Sequence, residues 1–203
     1  AALVAHDWGG ALAWNLANAH PQRMSRLAIL NAPHPGLFWR ALREDPAQQA
    51  ASAYMNFLIR ADAEALLSQE DFKKLWAFAF EEVSARGPSC AWLDANMRQH
   101  YRRVWSQGLT GGLNYYRASP LRPATPDDPA AMGMELPTSM WRIDVPTLVL
   151  WGLQDRALLP CLLDGLAEHV PRLSLHTHPQ ASHWIVHEQP QWVIDHLSRF
   201  LQS

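Results

Sequence analysis

The sequence predicts an α/β protein: a parallel sheet with helices on both faces, interrupted by a helical block. Two observations predict it. Short apolar stretches of strand length alternate with helix-patterned stretches at both ends of the chain, whereas the middle carries apolar residues at threes and fours. The first strand also passes into its helix through Asp7 and the pair Gly9-Gly10, a turn in which small neighbours let the chain bend sharply.

Taken in order, Ala1–Ala5 reads as a buried apolar strand and Ala11–Ala19 as the helix that follows it. A buried parallel strand needs partners on both edges, so further strands are expected ahead of this one, in a segment N-terminal to the chain. Met24–Asn31 is a second strand, stopped by Pro33, Pro35 and Gly36. From Phe38 to about Gln107 the pattern turns helical, with helices expected over Glu44–Arg60, Ala61–Phe80 and Cys90–Ser106 and a break at Gly87-Pro88. After the proline-rich stretch Pro120–Pro137, strands are expected at Pro146–Trp151 and Leu173–Thr177, with helices near Leu159–Glu168 and Gln191–Gln202. The expected division is a core of residues 1–35 and 139–203, with residues 36–138 as a helical cap.

With 203 residues and 48% of them hydrophobic, the chain can bury a substantial core. A formal net charge of −2 with scattered Lys and Arg offers no basic face for phosphates, so nucleic acid is excluded as a partner and a small molecule is expected. No apolar run is long enough to span a membrane. Cys90 and Cys161 fit no metal spacing and are too few for a disulfide framework; both are expected as small buried apolar side chains, with a reducing, cytoplasmic setting as the default. Six of the ten tryptophans, Trp39, Trp76, Trp92, Trp105, Trp141 and Trp151, fall between Pro35 and Asp155, which suggests an aromatic-lined cavity.

The chemistry is carried by three short segments. Ala5-His6-Asp7-Trp8-Gly9-Gly10 has the small-x-nucleophile-x-small layout of a nucleophile elbow, with Asp7 in the nucleophile's place at a helix start, where backbone N–H groups favour an anion. Trp151-Gly152-Leu153-Gln154-Asp155 follows one strand and Ser182-His183-Trp184 follows the last, so nucleophile, acid and base occur in that order. An isolated Asp after a strand is usually a helix cap and a lone His usually a surface or core residue; the order and context of all three together are what point to a site.

These segments resemble the epoxide hydrolase and haloalkane dehalogenase branch of the α/β-hydrolase superfamily, over essentially the whole chain. The resemblance implies that Asp7 attacks a saturated carbon, that water activated by His183 hydrolyses the resulting ester, and that Asp155 orients the imidazole. It also implies a pair of cap tyrosines when the substrate is an epoxide. Asn114-Tyr115-Tyr116-Arg117 is similar to the stretch around one of them and designates Tyr116; Ala53-Tyr54-Met55-Asn56-Phe57 is similar to the stretch around the other and designates Tyr54. Trp8, next to the nucleophile, would supply a backbone N–H to an oxyanion, and in the dehalogenases its indole binds halide.

An aspartate suits such chemistry, because displacement at a saturated carbon then leaves an ester with a carbonyl for water to attack, whereas a serine would leave an inert ether. His6 is expected as a hydrogen bonder beside the elbow, and His34 with Pro33 and Pro35 as part of the cap entrance. His178 and His187 are rival bases. Three readings follow: an epoxide hydrolase, a dehalogenase of haloalkanes or haloacids with the same Asp-His-Asp set, or a non-catalytic fragment or binding protein that keeps the fold. The family's His-Gly-x-Pro oxyanion loop does not occur in the chain, so the isolated chain is expected to be poorly soluble or inactive. No metal or organic cofactor is expected, and oligomeric state is left open.

Overall fold

The computed structural model describes residues 1–82 and 91–202, with the side chains of residues 81 and 82 left aside. The Gly87-Pro88 break, Cys90 and the expected start of the third helix lie outside the described residues.

Four strands, β1 (Ala2–His6), β2 (Arg26–Leu30), β3 (Thr147–Gly152) and β4 (Leu173–His178), form a sheet ordered β1-β2-β3-β4 with every neighbouring pair parallel. The register pairs Ala5 with Ile29, Ile29 with Val149 and Leu150 with His176. Alternation along β2 and β3 sends side chains to two cores. Leu27, Ile29, Val149 and Trp151 meet α1 (Trp8–Ala19) and α2 (Pro35–Glu44) on one face. Ala28, Leu30, Leu148 and Leu150 meet α9 (Ile185–Glu188) and α10 (Pro190–Gln202) on the other.

Within this chain β1 lies at the edge of the sheet, with Ala2 and Val4 exposed; the strands expected ahead of it belong to a segment N-terminal to the chain.

The helical block is more broken than its periodicity suggests. Instead of one helix over Glu44–Arg60 there are α2, α3 (Pro46–Ala51) and α4 (Tyr54–Leu58). Asp45 ends α2 and caps α3, accepting from the N–H groups of Ala47 and Gln48, and Pro46 fits only a first turn. In place of one helix over Ala61–Phe80, α5 (Ala63–Trp76) is interrupted where Glu70, Asp71 and Phe72 are left-handed, then passes into a π-helical turn, Ala77–Glu82. The interruption lets Phe72 and Trp76 turn onto Phe80, Tyr101 and Trp105. α6 (Ala95–Trp105) begins where Asp94 caps Met97, and α7 (Thr110–Ala118), not anticipated as a separate helix, carries Tyr115 and Tyr116. The helix expected near Leu159–Glu168 is a 3-10 turn, Pro160–Leu163, and a short α8 (Leu166–His169), separated by Gly165 at φ 81°.

Two glycines bring the elements close enough. A Cβ on Gly10 would sit 2.3 Å from that of Ala32, and one on Gly152 only 2.4 Å from the Ser182 carbonyl oxygen. Both are far inside van der Waals contact. Gly10 thus seats α1 on the end of β2, and Gly152 lets the Ser182-His183 loop lie against β3. Among the described residues, no helix is long and apolar enough to cross a membrane.

Candidate active site

Because the strands are parallel, the turns after β1, β2, β3 and β4 emerge at the same edge of the sheet, where a cleft forms in open α/β sheets. Asp7, Asn31, Asp155 and His183 come from those four turns.

Asp7 sits between β1 and α1 at φ 52° and ψ −126°, a strained conformation for a residue with a Cβ. Its carbonyl accepts from Ala11, and the Trp8 N–H approaches its carboxylate. One carboxylate oxygen lies 3.2 Å from His183 Nε2, while 39% of the side chain stays exposed to the cavities beside it. Burial pushes its pKa up, but the hydrogen bond and charge of His183 outweigh this and hold it below the usual carboxylate range.

On the other side of the imidazole, His183 Nδ1 lies 2.8 Å from Asp155 Oδ2. Asp155 is buried and fully engaged: Oδ1 accepts the N–H groups of Ala157 and Leu158, and Oδ2 also accepts the Asn31 amide at 2.8 Å. Burial alone would lower the His183 pKa. The carboxylates of Asp155 and Asp7 reverse that and raise it to about 10, so with both ionised the ring is an imidazolium.

Tyr54, on α4, and Tyr116, on α7, stand edge to face with ring centroids 6.1 Å apart. The Tyr116 ring meets the Trp8 indole at 5.0 Å, and its hydroxyl is approached by Trp8 and by Tyr54. Burial foremost, with the nearby Asp7 charge, pushes both phenols well above their ordinary pKa, so both keep their protons. Tyr115 is 45% exposed and packs against Trp8 at a tilt, with ring centroids 5.5 Å apart, which leaves Tyr116 as the inward member of the pair.

Two cavities meet at Asp7. One of about 350 Å³ is lined by Asp7, Tyr54, Tyr116, His183, Phe78 and Trp184 among others. The other, about 120 Å³, is lined by Asp7, Tyr54, Pro33, Pro35, Phe38, Met55, Leu121 and Leu158. None of the six tryptophans between Pro35 and Asp155 lines either cavity; Trp8 and Trp184 do. Trp76, Trp92 and Trp105 instead build an aromatic cluster, Trp39 and Trp141 pack against each other, and Trp151 is buried in the sheet core.

His6 Nε2 lies 2.8 Å from the His183 carbonyl oxygen, and burial, with His183 beside it, lowers its pKa to about 4. His34 departs from expectation: it is buried and caps the N-terminus of α2, accepting the Gly36 N–H and joined to the Trp141 carbonyl, while of the three only Pro33 and Pro35 line the cavity. His178 packs on Trp192 and His187 stacks on Trp92, and neither lines either cavity. Cys161 is half-buried rather than buried, with its thiol against the Asp45 carboxylate; burial first and that carboxylate second push its pKa up to about 11. Among the described residues, no group of three or more His, Cys, Asp or Glu could hold a metal ion.

The roles of two residues of this site, Asn31 and Trp184, are not marked in the sequence, although Trp184 follows His183 in the third segment. Asn31 looks like the polar end of a strand, and only a polar residue closing an apolar run hints at it. Trp184 donates its indole N–H to the Ala79 carbonyl at 2.8 Å, tying the loop of His183 to the helical block, and nothing in the sequence marks that bond.

The sequence profile of the alpha/beta hydrolase fold matches residues 1–190, and the chain belongs to that family. It is 30% identical over 206 residues to the AB hydrolase superfamily protein YfhM of Bacillus subtilis, an alignment covering 100% of this chain and 66% of that one. It is also 30% identical over 207 residues to human Epoxide hydrolase 4, covering 99% of this chain and 53% of that protein. The chain therefore spans about half to two thirds of the length of these curated relatives. Among solved structures, an epoxide hydrolase of Bacillus megaterium in complex with an inhibitor superimposes with a TM-score of 0.87 at 31% identity, over 100% of this chain and 69% of that one.

Proposed function

We propose that the protein hydrolyses epoxides to diols through a covalent ester on Asp7. The observation that carries this reading is the pair of protonated phenols, Tyr54 and Tyr116, facing the cavity that holds an exposed carboxylate. Its similarity to proteins named epoxide hydrolases supports the same reading.

In this reaction an Asp7 oxygen attacks an epoxide carbon and the ring C–O bond breaks. The epoxide oxygen leaves as an alkoxide and takes a proton from Tyr116 or Tyr54. A halide leaving group would need no proton, so two hydroxyls held here favour an epoxide over an alkyl halide. Ester formation removes the Asp7 charge, one of the two that hold a proton on His183. The ring can then pass its proton, by way of solvent, to the phenolate left by the first step, and the neutral ring accepts a proton from a water molecule as its oxygen adds to the ester carbonyl, while the Trp8 N–H faces the developing oxyanion. Asp155 keeps Nε2 pointed at that water. Collapse of the tetrahedral intermediate breaks the ester C–O bond, the proton of the added hydroxyl passes to the departing alkoxide to give the diol, and Asp7 returns as a carboxylate carrying one oxygen from water. In this reading, residues 36–138 act as a cap that supplies the donors, over a core formed by residues 1–35 and 139–203.

The test is the intact mass of a His183→Gln protein after incubation with an aryl epoxide and, separately, with a bromoalkane. Blocking hydrolysis traps the first half-reaction. A gain equal to the whole epoxide on the Asp7 peptide is expected. An alkyl gain from the bromoalkane alone would make the protein a dehalogenase, and no adduct on folded protein from either reagent would defeat both readings.

A further inference from the structure

Asn31 closes β2, is fully buried, and has its backbone at φ 37°. Asparagine at a positive φ is ordinarily a backbone device, stabilised by local hydrogen bonds. Part of this side chain fits that description, since Asn31 Oδ1 accepts the Gly152 N–H at 2.9 Å and so joins the ends of β2 and β3. The other half does not. Asn31 Nδ2 donates at 2.8 Å to Asp155 Oδ2, the same oxygen that lies 2.8 Å from His183 Nδ1. Asp155 is already held by two backbone N–H groups on Oδ1, so this bond is not required to anchor it. It bears on the one oxygen that faces the imidazole.

A carboxylate oxygen with two donors spreads its charge between them and holds each less strongly. We infer that Asn31 is a positioning residue for the base: by donating to the Asp155 oxygen that also binds the imidazole, its amide fixes that oxygen toward His183 and limits how firmly Asp155 retains the ring's proton, so that the ring becomes neutral once Asp7 is esterified. The inference rests on the ester mechanism above for its catalytic consequence, but the coupling between Asn31 and His183 is open to measurement without substrate.

Asn31→Asp isolates the donor. Aspartate tolerates the same backbone and keeps an acceptor for Gly152, but its new carboxyl can donate to Asp155 only while protonated. The charged and titratable groups acting on this cluster are Asp155 itself, His183 with Asp7 beyond it, His6 at the end of β1 and the Tyr54 phenol. When the new carboxyl ionises, two carboxylates share the site and bind the ring's proton more tightly. Single-turnover hydrolysis of the ester by N31D should therefore stay near wild type in acid and fall at least about tenfold behind it as pH rises through ionisation of the new carboxyl. Ester formation should stay within about threefold of wild type at both ends. Asn31→Gly, which suits the backbone but removes both bonds, should slow hydrolysis at every pH. Without epoxide, the downfield proton resonance of the His183 Nδ1–H should shift with pH in N31D over a range where the wild-type signal is constant. If the N31D hydrolysis profile and this resonance both follow wild type while only thermal stability drops, Asn31 is a backbone device and the inference fails. If no ester forms in any variant, the ester mechanism fails, and the resonance alone decides the role of Asn31.

Discussion

The carboxyl edge of the sheet and the helical block between β2 and β3 hold their shape by different means. At the sheet edge Asp7, Asn31, Asp155 and His183 sit on short turns, joined by hydrogen bonds that run from one strand end to the next. In the block, α5 is broken by three left-handed residues, a π-helical turn follows, and order comes mainly from aromatic contacts such as Trp76 on Trp105 at 4.4 Å. Hydrogen bonds fix angles and distances closely, whereas aromatic packing tolerates small slides. The proposed reaction draws on both regions, with attack and water activation on the rigid edge and proton donation on the more adaptable block. Trp184 is a direct bond between them.

Substitutions at the rigid edge should cost most. Asp7→Asn is expected to abolish the covalent adduct and lower diol formation by at least about a thousandfold, as measured by intact mass and product analysis; turnover persisting in this variant would move the chemistry off the sheet edge. Replacing both Tyr54 and Tyr116 by Phe should cost about a hundredfold or more in kcat/KM toward an epoxide, and either change alone less, because the remaining phenol can still donate. Equal loss from one substitution and from both would assign the protonation to a single tyrosine.

Stability separates the regions further. Gly152→Ala forces a methyl against the Ser182 carbonyl and should lower unfolding free energy by about 1–3 kcal/mol in urea titrations. Trp184→Phe keeps most of the ring packing and loses the bond to Ala79, which should cost about 0.5–1.5 kcal/mol and raise amide exchange in the residues around Ala79 more than at the sheet edge.

The smallest and most diffuse effect is on pH. His6 and His34 have folded pKa values lowered to about 4, so the unfolded chain binds more protons between about 4 and 6.5, and their contribution to stability is complete above 6.5 and lost as pH falls toward 4. His183 has the opposite sign: its folded pKa of about 10 gives stability that is complete below 6.5 and lost as pH rises through 10. His34→Asn should therefore flatten the acid limb of a stability-pH curve, and His183→Gln the alkaline limb.

The same contrast governs what could be read from residues alone. Asp7 and Asp155 were legible because each follows a short apolar strand, and His183 because it comes after the last strand in the order nucleophile, acid, base; a strand end in a parallel sheet places a residue at the candidate site whatever its neighbours do. Tyr54 and Tyr116 were reached only through resemblance, since helical periodicity does not say which face of a helix meets a cavity. The helix limits over Glu44–Phe80 were misread because Pro46 and the left-handed Glu70–Phe72 interrupt a pattern of threes and fours that runs on without them. Asn31 was hidden for another reason: its partners, Asp155 and Gly152, lie more than a hundred residues away.

The backbone of Asp7 carries a cost of its own. At φ 52° and ψ −126° it holds roughly 1–3 kcal/mol of strain that a glycine would not. A glycine at position 7 would release that strain, and with it the carboxylate on which the proposed reaction depends.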